Sequence, residues 1–126
     1  MIVEERRYSF QPGKLQVFLQ RYAEQGMAVQ RQYLPHLLGY YVSEVGPLNQ
    51  ITALWGYPSF SAREQWRAAL FADPRWTAFL HEVRPLMTQQ ECRILKAAPF
   101  FEQTLANLLK TDLLPGEDNE TSIPQP

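Results

Sequence analysis

The sequence predicts an α+β fold in which helices cover one face of a four-stranded antiparallel sheet, and three observations carry that prediction. Two strand-length, aromatic-rich segments, residues 38–45 and 50–57, flank the run Glu44-Val45-Gly46-Pro47-Leu48-Asn49-Gln50 and read as a hairpin. Apolar residues recur at helical spacing on both sides of it, as Leu15, Phe18, Leu19 and Tyr22 before and Trp76, Phe79, Leu80 and Val83 after. Further strand-like segments, residues 3–10 and 89–96, open and close the series.

Taken in order, residues 3–10 place Glu4, Arg6, Tyr8 and Phe10 on one face of an unusually charged strand. Pro12-Gly13-Lys14 opens the first helix, Gly26 stops or bends it, and a second helical piece over 27–34 leads through Pro35 and His36 into the hairpin. Pairing across the hairpin puts Tyr40, Val42, Glu44, Ile51, Ala53 and Trp55 on one face and Tyr41, Ser43, Val45, Thr52 and Leu54 on the other, so both faces read as apolar. Ser61-Ala62-Arg63-Glu64 has capping-box spacing and starts a helix through Leu70. Asp73-Pro74 starts the next, as a cap followed by proline in the first turn. Strand, helix, strand, strand, helix, strand is the split β-α-β order of ferredoxin-like domains. That domain is expected over residues 1–100. Residues 101–126 form a C-terminal extension, in which Leu105, Leu108, Leu109 and Leu113 stripe a short helix and Pro115-Gly116 begins a polar tail expected to be disordered.

The chain has 126 residues, 45% of them hydrophobic, with 12 Lys and Arg against 13 Asp and Glu. A net charge of −1 offers no field for nucleic acid or an anionic membrane, so neither is expected as a partner. The single cysteine, Cys92, excludes an intramolecular disulfide and a multi-thiolate metal site and suits the reducing cytoplasm. The segment Met-Ile-Val-Glu-Glu-Arg-Arg and the lack of a long apolar run lead us to expect neither export nor a membrane span.

Several motifs in fixed order then identify a relationship. Glu4-x-Arg6-x-Tyr8 with Pro12-Gly13, Glu44-x-Gly46-Pro47-Leu48-Asn49-Gln50, Leu54-Trp55-x-Tyr57, Arg63-Glu64, Asp73-Pro74-x-Trp76 and Gln89-x-x-x-Arg93-Ile94-Leu95 resemble the NIPSNAP family over about residues 3–100. The resemblance implies a dimeric α/β barrel, two ferredoxin-like subunits packed sheet to sheet, as in related small monooxygenases. Patterning points the same way, because helices cover one sheet face and a second copy would shield the other, burying roughly 2,000 Å² or more. Eukaryotic members of the family are associated with mitochondria, vesicle trafficking and mitophagy, and bacterial members mostly have no assigned activity. Two positions depart from the family pattern: Ala53 stands where histidine is usual, and Cys92 where asparagine is usual.

Candidate chemistry centres on the hairpin face. Glu44 beside Tyr40 and Trp55 would be a carboxylate among aromatics, an environment suited to proton transfer, with Arg6 as the cation that neutralises it and Tyr8 on the same surface. Glu44, Arg6 and Tyr8 are therefore the catalytic candidates, and Tyr40, Trp55, Asn49 and Cys92 the ligand-binding ones. His36 and His81 lie in separate elements without ligand spacing, and the glycines form no phosphate-cradling loop, so no metal and no cofactor are expected. Trp55, Trp66 and Trp76 read as core, and Arg63, Arg67, Arg75 and Arg84 as solvated surface. These features describe a homodimer that binds a small apolar or aromatic molecule, or acts on one without a cofactor. A non-catalytic interaction module that docks a partner on residues 105–113, or a dimer that keeps the fold without the chemistry, fits the same residues.

Overall fold

Four antiparallel strands, β1 (Ile2–Phe10), β2 (Leu37–Val42), β3 (Gln50–Tyr57) and β4 (Met87–Leu95), form one sheet in the order β2-β3-β1-β4. The structure is a computed structural model and describes residues 1–111. Residues 112–126, which include Leu113 and the expected tail, lie outside the described residues. Helix α1 (Leu15–Arg21) runs through one wide π-helical turn, Tyr22–Gly26, into α2 (Met27–Tyr33), and α3 (Phe60–Phe71) and α4 (Pro74–Val83) follow the hairpin. A last helix, α5 (Glu102–Thr111), follows β4.

Strand alternation decides which side chains meet the helices. Ile51, Ala53, Trp55 and Tyr57 of β3 are all buried, and they pack with Leu15, Phe18, Leu70 and Phe79 from the helices in one core. Register then fixes the rest of that face. Glu4 lies opposite Trp55 and Ile94, Arg6 opposite Ala53 and Cys92, and Tyr8 opposite Ile51 and Gln90. Glu4 and Arg6 of β1 thus point under the helices, between the two strands that flank it.

The helix starts follow side-chain capping. Asp73 accepts from the Arg75 amide at 2.9 Å, with Pro74 in the first turn, as the sequence indicates. The preceding helix starts two residues earlier than expected. Ser59, not Ser61, is its cap and accepts from the Ala62 amide at 3.0 Å. Gly26 does not end the first helix either. A Cβ there would sit 2.8 Å from the Phe79 ring, so glycine lets α4 approach while the helical path continues through the π turn.

Two further expectations change. The hairpin loop is longer than the alternation suggests, because β2 ends at Val42. Its last rung is the Ser43 amide donating to the Gln50 carbonyl at 3.0 Å, and Gly46 and Asn49 then turn the chain at φ of 97° and 60°. The second sheet face is also not apolar throughout. Tyr41, Thr52 and Leu54 do lie there, but β1 and β4 contribute Glu5, Arg7 and Arg93, with Arg93 2.6 Å and Arg7 3.7 Å from Glu5. At one end α5 rests on this face, where Leu109 occupies the space above Gly56. Leu105 and Leu109 are consequently 1% and 9% exposed.

Candidate functional site

The arginines at Arg63 and Arg67 are one helical turn apart in α3, so both project from the same stripe towards β1. Between them and the sheet lies Glu4, completely buried. Its Oε2 accepts from Arg6 Nη1 at 3.1 Å, Arg63 Nη2 at 2.7 Å, Arg63 Nε at 3.2 Å and the Cys92 thiol at 2.9 Å. Oε1 accepts from the Tyr57 hydroxyl at 3.3 Å and lies 4.0 Å from Arg67. Burial alone would raise the pKa of this carboxyl. The thiol, Arg63, Arg6 and Arg67 outweigh it and hold Glu4 below the usual carboxylate range. Burial likewise works against the charge on Arg6, yet Tyr8 and Glu4 keep that guanidinium protonated. Tyr57 is pushed up by burial and then by Glu4.

Beside this cluster, on the same sheet face, a recess opens between the sheet and the helices. Its walls include Arg6, Tyr8, Tyr40 and Trp55 from the strands, Tyr22 from the π turn and Gln30 from α2, and Arg67, Trp76 and Arg84 from the later helical segments. The enclosed space is about 60 Å³, within a hollow of about 590 Å³ counted out into open solvent. That is room for about four waters in the deep part, at roughly 15 Å³ each. Aromatic rings shape it, with Tyr22 stacked on Phe18 at 5.8 Å and on Tyr40 at 5.1 Å. Burial raises the pKa of both Tyr22 and Tyr40, so each holds its phenol proton. The Tyr22 hydroxyl donates to Gln30 Oε1, and Arg6 Nε donates to the Tyr8 hydroxyl at 2.7 Å.

Of the residues singled out from the sequence, Arg6, Tyr8, Tyr40 and Trp55 come together on this wall. Glu44 and Asn49 do not. Because β2 stops at Val42, Glu44 sits exposed in the hairpin loop, away from Tyr40 and Trp55, and Arg6 pairs with Glu4 instead. Asn49 serves the turn, and its carbonyl accepts from the Phe10 amide at 2.8 Å. Cys92 is on β4 and bonds Glu4 rather than lining the recess. Desolvation of its thiol, with Glu4 beside it, raises its pKa, which makes it a donor and not a ready nucleophile. Both departures from the family pattern flank Arg6, since Ala53 and Cys92 are its partners on the two adjacent strands.

Sequence reasoning missed Glu4 as the buried carboxylate and misplaced Arg63 and Arg67, which are partly buried ion-pair partners and not solvated surface. Arg75 is held by Asp73 at 2.7 Å, and Arg84 stands exposed at the rim of the recess. Trp55 and Trp76 are buried as expected for core residues, and they also line the hollow. Among the described residues no three His, Cys, Asp or Glu side chains gather as a metal site, and no helix is long and apolar enough to cross a membrane.

Comparison with known proteins places this architecture. The NIPSNAP family matches residues 3–102. A putative NipSnap protein of Caenorhabditis elegans is 30% identical over 94 residues, covering 75% of this chain and 18% of that one. A NipSnap homolog of Danio rerio is 28% identical over 95 residues, covering 75% of this chain and 33% of that one. The chain thus spans a third or less of these relatives. Among solved structures, an Agrobacterium tumefaciens protein described as a NIPSNAP family protein with unknown function superposes with a TM-score of 0.77 at 38% identity, covering 79% of this chain and 90% of that one. A cofactor-independent oxygenase from Streptomyces nogalater shares the fold, with a TM-score of 0.54 at 18% identity over 76% of this chain and 91% of that one.

Proposed function

The chain belongs to the NIPSNAP family, and from that premise we propose that it is a homodimeric, enzyme-like protein that binds a small molecule in the recess between sheet and helices. The observation that carries this reading is the recess itself, an aromatic hollow with a few convergent polar groups, which is the usual form of a small-molecule site. In it Arg6 and Tyr8 are the groups set to touch the polar part of a ligand, and Tyr40 and Trp55 its apolar body. Glu4 acts through Arg6 as a positioning residue, holding the guanidinium beside Tyr8. Residues 1–100 form the working unit, with 101–126 as an extension, and the one free thiol suits a cytoplasmic setting.

Binding has a built-in reporter, because Trp55 and Trp76 both line the hollow. A panel of small aromatic and aliphatic compounds is expected to include ligands that change tryptophan fluorescence and raise the melting temperature. Leu80→Trp, which fills the recess from α4, should abolish both effects while the far-UV circular dichroism stays native. Silence across the whole panel with the unaltered protein would remove the reading.

Against the interaction-module alternative, two of its four leucines, Leu105 and Leu109, are already buried within the chain, while Leu108 is exposed and Leu113 lies outside the described residues. The two-fold assembly is supported by the second sheet face, which helices α1 to α4 leave uncovered and where Tyr41 is 58% exposed. Sedimentation at micromolar concentration should give twice the chain mass, and a single species of one chain mass would refute the dimer.

A further inference from the structure

We infer that the recess takes a small carboxylate with an apolar or aromatic body, an inference that rests on the binding reading above. Every charged residue on its wall is positive: Arg6, Arg67 and Arg84. The acids that pair within this group cannot balance them. Glu4 is shared among Arg6, Arg63 and Arg67, and Glu64 pairs with Arg63 at 2.6 Å. Four guanidiniums against two carboxylates leave two positive charges, and Arg84 at the rim has no acidic partner among the described residues.

Hydrogen-bonding capacity gives the same answer independently. The Tyr8 oxygen already accepts from Arg6 Nε, which leaves its proton to be donated. Gln30 uses its Oε1 to accept from Tyr22, so its amide N–H₂ is the free end. Guanidinium, phenol O–H and amide N–H₂ thus make a wall that presents donors. The matching occupant is rich in acceptors and negatively charged, as a carboxylate is.

The rings set the rest of the ligand. Trp55, Phe79 and Tyr22 flank the recess and are themselves buried, so a flat or short aliphatic body replaces water there without stranding polar groups. The arginines place the charged end towards the mouth, where Arg84 is exposed.

The test compares matched pairs, benzoate with benzamide and hexanoate with hexanamide, by calorimetry on the full chain and on Arg84→Gln. Arg84 has no ion pair to lose, so that variant should fold normally. The carboxylates are expected to bind at least about tenfold more tightly than the amides, as charge-assisted bonds are the stronger ones. Arg84→Gln should erase most of that preference, and the preference should shrink with added salt. Equal affinity for acid and amide would overturn the anion assignment while leaving the binding reading intact. No binding of either, by heat or by thermal shift, would overturn the carboxylate assignment, and silence across the wider panel as well would overturn the binding reading. Acid selectivity unchanged in Arg84→Gln and in Arg67→Gln would overturn the arginine assignment.

Discussion

Glu4→Gln is expected to destabilise the fold by about 3–5 kcal/mol, which for a domain of this size lowers the melting temperature on the order of 10–20 °C. The carboxylate is completely buried, and its two oxygens receive hydrogen bonds from Arg6, Arg63, Tyr57 and Cys92. An isosteric amide keeps the volume but removes the charge, leaving Arg6 without an acid and turning an N–H₂ towards donors. The pH dependence follows from the lowered pKa of Glu4. As acid is added, the unfolded chain takes up this proton near its ordinary value of about 4.3, before the folded one does. Stability from Glu4 is therefore fully present above that value and disappears as pH falls through the lower folded value. Calorimetric melting from pH 7 to pH 3 should show a steep acid loss in the parent protein and a flatter one in Glu4→Gln. A variant within about 1 kcal/mol of the parent would mean that the four-residue cage contributes little net stability.

Trp55→Ala is expected to lower stability by a comparable amount, about 3–5 kcal/mol. Trp55 is 1% exposed on the inner strand β3, with Glu4 opposite it on one side and Leu37 on the other. Removing the indole takes away its transfer energy and leaves a hole that the paired backbones on both sides cannot close. Because Trp55 also lines the recess, the hole adds to it, and the variant should admit bulkier compounds than the parent does. Denaturant unfolding measures the first effect and ligand-induced melting shifts the second. A loss below about 1 kcal/mol would show that the sheet and helices collapse into the gap.

Much of this was legible in the chain because period-two and period-3.6 patterns survive translation into three dimensions. The alternation of Glu4, Arg6, Tyr8 and Phe10, and of Ile51, Ala53 and Trp55, put the right side chains on the right face. Alternation does not say where a strand stops, however. Glu44 keeps the parity of Tyr40 and Val42, yet β2 ends at Val42 and the loop that turns at Gly46 and Asn49 has begun before it. The buried carboxylate was hidden for another reason. Glu4 was visible next to Arg6, but what makes it tolerable is Arg63, fifty-nine positions away, and no local pattern encodes that pairing. The same ambiguity let two arginines of α3 pass for surface, since long guanidinium side chains occupy partly buried and solvated stripes alike.

Helix α5 carries one more implication. Its Leu109 lies over Gly56 on the very layer that a second subunit would be asked to complete. Two chains meeting flat there would collide with these helices first, so the seam between them must either incorporate both helices as a lateral clasp or evict them. In the first case the extension fixes the angle at which the halves meet. In the second it competes with assembly, and its affinity for its own sheet sets the concentration at which pairs form.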